Sequence, residues 1–152
     1  MDLDIRPYVG VGPLRFGMTR TAVGAALRSK ARALRRGSAS ASPTDAFEEE
    51  GVYVEYDGED ECEAIEMASP ALPTLQGRSL IGVPFKELRD WLASVDATLE
   101  VDNAGLTSPL FGIGLFAPAA AKEPLEAVEA VIAFRRGYYD EPAEASTDQR
   151  SS

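Results

Sequence analysis

The chain has 152 residues, 45% of them hydrophobic, enough to bury roughly two thirds of its unfolded surface in one core, and it holds no run near the ~20 apolar residues of a membrane-spanning helix. It contains no histidine and one cysteine, which excludes an intrachain disulfide, Ser-His-Asp and Cys-His catalysis and most zinc sites. The net charge of −10 disfavours binding to nucleic-acid phosphates, yet it is unevenly placed: residues 1–46 carry eight Lys or Arg against three Asp, whereas 47–76 carry ten acids and no base.

Gly10 to Gly17 is punctuated by Gly and Pro around Leu14 and Phe16, so it reads as a short strand or extended lead-in. Thr19 stands where an N-cap belongs, and Ala22, Val23, Ala26 and Leu27 recur at helical spacing, which predicts a helix at about 19–29. The alternation from Ala31 to Arg36 favours a strand over a helical extension, and the small side chains from Gly37 to Pro43 predict a flexible surface loop. Val52 to Tyr56 and Cys62 to Met67 form a hairpin across Asp57-Gly58-Glu59-Asp60. Val52, Val54 and Tyr56 then take the core side, leaving Tyr53, Glu55 and Glu63 for the other face. Ser69 to Pro73 interrupts any regular element.

Pro84 lies close to the next helical turn, where its missing N–H costs little. Phe85, Leu88, Trp91, Leu92 and Val95 share one face of an amphipathic helix at about 84–95, with Trp91 as a core anchor. Strands are predicted at about 97–102, 110–117 and 128–136, with a loop at 118–125; the polar composition from Glu141 onward predicts a disordered tail over 141–152.

The two halves share a pattern. Gly17, Val23 and Leu27 recur as Gly82, Leu88 and Leu92; Val52 to Tyr56 falls opposite Gly112 to Phe116, and Ala64 to Met67 opposite Ala130 to Phe134. The expected fold class is α+β: two tandem helix-plus-three-strand units, about 10–70 and 75–140 of a single domain over 1–140, forming an antiparallel sheet with two helices packed on one face.

Phe16-Gly17-Met18-Thr19-Arg20, followed by Val23 and Leu27, resembles the opening of the small αβ units in β-lactamase inhibitor proteins and in outer-membrane assembly lipoproteins of the SmpA/OmlA type. That resemblance implies a helical segment followed by an antiparallel sheet, carried in tandem by the inhibitors, and a scaffold for binding proteins. The chain departs from both groups, lacking the inhibitors' signal peptide and disulfides and the lipoproteins' N-terminal lipid-bearing cysteine. It also resembles small acidic bacterial proteins that pair an FGMT-type opening with a GYYD-type ending, here Gly137-Tyr138-Tyr139-Asp140, several of which are cognate immunity proteins of toxins.

The candidate sites point to binding. The acidic run presents Glu48, Glu49, Glu50, Glu55, Glu59, Asp60 and Glu63, which suits electrostatic complementarity to a basic surface, and a polar edge that resists aggregation is the plainer alternative. Tyr53 and Tyr138 are candidate anchors, with Tyr139, Asp140, Arg135 and Arg136 beside the latter. The dense oxygens of 57–61 lack the alternate-position ligands and distal Glu of a calcium loop, so a turn is expected and no metal site. Neither Gly10-Val11-Gly12 nor Gly112-Ile113-Gly114 opens a helix after a strand, which disfavours a dinucleotide site. Cys62, between Glu61 and Glu63, is expected to have a raised pKa and a structural role; Arg28, Lys30, Arg32, Arg35 and Arg36 read as a solvated strand edge balancing the acidic hairpin.

The expectation is a cytoplasmic, non-enzymatic protein-binding module without catalytic residues, cofactors or metal, most concretely an immunity-like inhibitor of a bacterial toxin. Its partner is another protein with a basic surface, with neither nucleic acid nor membrane, and the chain itself is a monomer or a homodimer. The alternatives are a small-ligand-binding or carboxylate-based enzyme site between helices and sheet, and a structural homodimer.

Overall fold

The computed structural model describes residues 2–34 and 42–138. The predicted tail, Tyr139, Asp140, Arg35, Arg36 and most of the 37–43 loop lie outside the described residues. Three short strands, β1 (Ile5–Arg6), β2 (Gly10–Val11) and β3 (Leu14–Arg15), form a small antiparallel sheet before the first helix. Helix α1 (Arg20–Leu27) starts at Thr19, whose hydroxyl accepts from the Ala22 amide at 3.2 Å, and stops at Arg28, held in the left-handed region at φ 53°. β4 (Arg32–Leu34), β5 (Thr44–Phe47), β6 (Val52–Tyr56) and β7 (Cys62–Ala68) follow as an antiparallel meander. A hairpin of β8 (Thr74–Leu75) and β9 (Arg78–Ser79) leads to helix α2 (Phe85–Val95), which buries Phe85, Leu88 and Leu92. The second meander is β10 (Glu100–Val101), β11 (Gly105–Ser108), β12 (Ile113–Phe116) and β13 (Ala130–Phe134).

The meanders join through their last strands. β13 pairs antiparallel with β7 from Ala130↔Ala68 to Phe134↔Ala64, giving one eight-stranded sheet of order β10-β11-β12-β13-β7-β6-β5-β4. Each helix is hung from its own meander in the same way. Gly17 donates to Cys62 O at 2.8 Å and the Cys62 amide donates to Met18 O at 2.8 Å; Gly82 donates to Val128 O and the Val128 amide to Val83 O, both at 2.9 Å. Gly17 and Gly82, at φ 95° and 86°, make the turn that this pairing requires.

The class is α+β with a mainly antiparallel main sheet. Each half has four strands, however, where three were expected. The two that periodicity missed, β5 and β11, each turn a polar residue toward the core side. Asp45 of β5 meets Arg20 Nη1 at 2.9 Å and the Tyr56 hydroxyl at 3.0 Å; Ser108 of β11 donates to Asp96 at 2.6 Å. An inward polar group removes the alternation by which a strand is recognised.

Val52, Val54, Ile65, Met67, Ile113, Leu115, Val131 and Ala133 form one core with Val23 and Leu27 of α1 and Phe85, Leu88 and Leu92 of α2. Trp91 packs partly buried against it, stacked on Phe111 at 5.9 Å with the Arg78 guanidinium 4.4 Å from its ring. Ala64, Ala130 and Phe134 are also buried but stand apart from that core, on the other face of the sheet.

Asp96 closes α2 and fastens it to the sheet. It is 4% exposed and accepts from the Thr98 amide and hydroxyl at 2.8 and 2.6 Å, Ser108 at 2.6 Å and the Leu110 amide at 3.1 Å. Burial opposes its charge, but the hydrogen bonds from Ser108, Thr98 and the two amides outweigh it and hold the carboxyl below its ordinary value. A depressed carboxyl contributes stability that is present above its unfolded pKa and lost as pH falls through the folded value. Asp96→Ala is expected to lower unfolding free energy by about 2–4 kcal/mol at pH 7, because buried donors lose their acceptor. In urea titrations that difference should shrink below about pH 4.

Candidate functional site

The alternation of β6 sends Val52, Val54 and Tyr56 into the core and leaves Tyr53 and Glu55 half-buried on the face turned away from the helices. Strand register extends that outer face across the sheet. One continuous row runs Arg32, Ala46, Tyr53, Glu66, Ile132, Gly114, Thr107, Glu100, from one edge strand to the other. The row parallel to it begins Glu55, Ala64, Phe134.

At the Phe134 end, aromatic side chains assemble. Phe134 stacks on Tyr138 at 5.7 Å and meets Tyr8 edge-on at 6.1 Å; the Arg136 guanidinium lies 4.1 Å from the Tyr8 ring. The Tyr8 hydroxyl donates to Pro109 O, and the Tyr138 hydroxyl donates to Glu55 Oε1 at 2.6 Å. Tyr8, Glu100, Thr107, Arg136 and Tyr138 border a cavity of about 500 Å³. A second, of about 250 Å³, is bordered by Glu66, Gly114, Phe116 and Ile132, and Asp102 and Thr107 line both.

The expected site residues divide into four places. Tyr53, Glu55 and Tyr138 lie on the outer face, the last two in direct contact. Glu63 sits in β7 where the register shifts, between residues paired with Glu55 and Tyr56. Glu48, Glu49 and Glu50 form the β5–β6 turn: Arg32 bonds Glu48 and holds its carboxyl below its ordinary value, while Glu50 accepts from Ser29 at 3.2 Å. Glu59 and Asp60 lie in the β6–β7 turn, where Asp60 meets Arg20 Nε at 3.3 Å.

That turn differs from the expected Asp-Gly hairpin. Asp60, at φ 60°, takes the left-handed position, and Asp57 Oδ1 accepts from the Glu59 and Glu61 amides at 2.8 and 3.0 Å. Its other oxygen receives Arg135. Partial burial works against the Asp57 charge, yet those amides and Arg135 hold its carboxyl below the ordinary value. Carboxylate oxygens of Asp57, Glu59 and Glu61 come within 4.8 Å of one another, but Asp57 is already engaged by amides and a guanidinium.

Tyr8 and Phe134 were not singled out from sequence, and Glu66 only closed the acidic run from Glu48. The register carries the signal for Phe134 and Glu66: the partners of Tyr53 and Glu55 define the face once β7 and β13 are known to pair. The correspondence read from sequence places Tyr53 opposite Ile113. In the sheet Tyr53 pairs with Glu66 as Gly114 pairs with Ile132, one residue further on, and one residue separates the two faces of a strand.

Burial pushes the Cys62 thiol up to about 12, Arg135 opposing and Glu63 and Glu55 adding to the rise. Burial also raises Tyr56, together with the charge and hydrogen bond of Asp45. No protein-family model, curated protein or solved structure matches this chain. What the outer face offers chemically is carboxylate acceptors and aromatic surface. Cys62 should react with a disulfide reagent at pH 8 at least about a hundredfold more slowly in the folded protein than in guanidinium; comparable rates would contradict its burial.

Proposed function

We propose that the chain is a non-enzymatic protein-binding module that meets a basic partner with the outer face of its sheet, most concretely as an immunity-like inhibitor of a bacterial toxin. The single observation that carries the reading is the cross-sheet arrangement of half-buried Tyr53, Glu55, Glu66 and Tyr138 on a face that neither helix packs upon. Tyrosine buries large area at small entropic cost, and acids beside it steer a cationic surface into place.

Two helix-plus-sheet units joined edge to edge supply a broader face than one unit. The tandem arrangement implied by the resemblance to β-lactamase inhibitor proteins accords with this. The absence of histidine and the raised thiol of Cys62 support binding over acyl-transfer or thiol chemistry.

The reading is tested with a partner captured from host lysate and then purified. Glu55→Lys with Glu63→Lys should slow association about three- to tenfold at low ionic strength and flatten its salt dependence. Reversal of Glu123 and Glu126, exposed in the segment before β13 that pairs with the start of α2, should have a smaller effect. An on-rate indifferent to Glu55 and Glu63 would contradict the proposal.

A further inference from the structure

We propose that the larger cavity, between the Phe134 end of the sheet and the β10 edge, binds a short zwitterionic peptide, its carboxylate on Arg136 and its ammonium on Glu100. The site stands independently of the protein-binding reading. Its walls come from distant parts of the chain: Tyr8 from the β1–β2 turn, Glu100 from β10, Thr107 from β11 and Arg136 from the turn after β13.

Arg136 is held in place for an anion. The Tyr8 ring beneath it is fixed twice, by the hydrogen bond from its hydroxyl to Pro109 O and by its contact with Gly112, where a Cβ would come within 2.9 Å of the ring. The guanidinium lies over that ring, 4.1 Å from its centre. A guanidinium so placed spends a face on the ring and keeps the N–H groups of its edge for two parallel bonds to a carboxylate. Arg135, next to it, is engaged by Asp57, but among the described residues no carboxylate meets Arg136.

The far side of the cavity has the opposite charge. Glu100 is exposed on the edge strand, and among the described residues no cation meets it. Asp102 stands beside it, with Oδ1 taken by the Ala104 and Gly105 amides at 2.8 and 2.9 Å, so Glu100 is the freer carboxylate. Arg136 and Glu100 thus border one cavity without forming an ion pair. A ligand that joins them carries both charges, and an anion or a cation alone would satisfy one wall and be repelled by the other. The size sets how far apart those charges lie. A compact cavity of about 500 Å³ is roughly 10 Å across, within the range of small-ligand sites. The charges of a free α-amino acid are too close together to span it, whereas three extended residues reach about 10 Å. Thr107 offers a hydroxyl to a peptide amide, and Phe134 and Pro109 give apolar cover to the backbone between the charged ends.

The test uses the full chain, isotope-labelled, with amide resonances followed during titration. The probes are triglycine, acetyl-triglycine, which lacks the ammonium, and triglycinamide, which lacks the carboxylate. Triglycine should give saturable shifts at Thr107, Arg136, Gly137 and Tyr138 with a Kd of about 1 mM. Each analogue should bind about threefold or more weakly. Arg136→Gln should weaken triglycine by a similar factor and leave triglycinamide unchanged; Glu100→Gln should weaken triglycine and leave acetyl-triglycine unchanged. That pairing of each side chain with one ligand charge is a result that altered cavity shape would not give. If either variant does not fold, the three peptides on the unaltered chain decide the matter. Equal binding of the three, absence of saturation, shifts confined to residues outside the cavity, or an Arg136→Gln variant that loses triglycine and triglycinamide alike would overturn the site.

Discussion

The antiparallel pairing of β7 with β13 is the contact on which the outer face depends. Five residue pairs, with Glu66 opposite Ile132 between them, weld two four-stranded meanders into one sheet. Because side chains alternate, a slip of β7 by one residue at this seam would send Ile65 and Met67 outward and Glu66 into the core. Burying an unpaired carboxylate costs far more than any gain available to such a slip. The acid at the centre of the seam therefore specifies register as well as lending charge to the face.

Polar groups on the core side hold the helices to that sheet. Arg20, the first residue of α1, lies 4.1 Å from the Tyr56 ring centre and reaches Asp45, Asp60 and Pro43 O. Asp96 does the corresponding work for α2 through Ser108 and the Leu110 amide. These contacts explain part of the uneven charge along the chain. Bases of the first third and Arg135 near the end are spent on acids of the central hairpin, so a dense acidic run becomes a set of fixed turns and a smaller number of carboxylates facing outward.

Much of the fold was legible because it rests on local signals. Thr19 and the Val23 and Leu27 spacing specify α1, the Phe85, Leu88 and Leu92 stripe specifies α2, and Val52 to Tyr56 reveals its faces by alternation. Asp45 and Ser108 hid β5 and β11, since a strand with an inward polar residue can be recognised only from the distant groups that satisfy it. The site was less legible for the same reason. Glu55 and Tyr138 are 83 residues apart in sequence and meet through a strand pairing that no local pattern reports. Charge density drew attention to Glu48 and Asp60, which are engaged by Arg32 and Arg20.

A wide sheet face with aromatic anchors and outward acids is suited to selecting a partner by shape and charge together. Its central claim is that recognition occurs on this face and away from the helical side. Isoleucine methyl groups report on that directly, because Ile132 lies on the outer face whereas Ile5, Ile65, Ile81 and Ile113 belong to or pack against the core. In a methyl spectrum recorded with the purified partner, the account predicts that the Ile132 signal shifts or broadens most. A spectrum in which Ile5 or Ile81 responds while Ile132 is unmoved would contradict it.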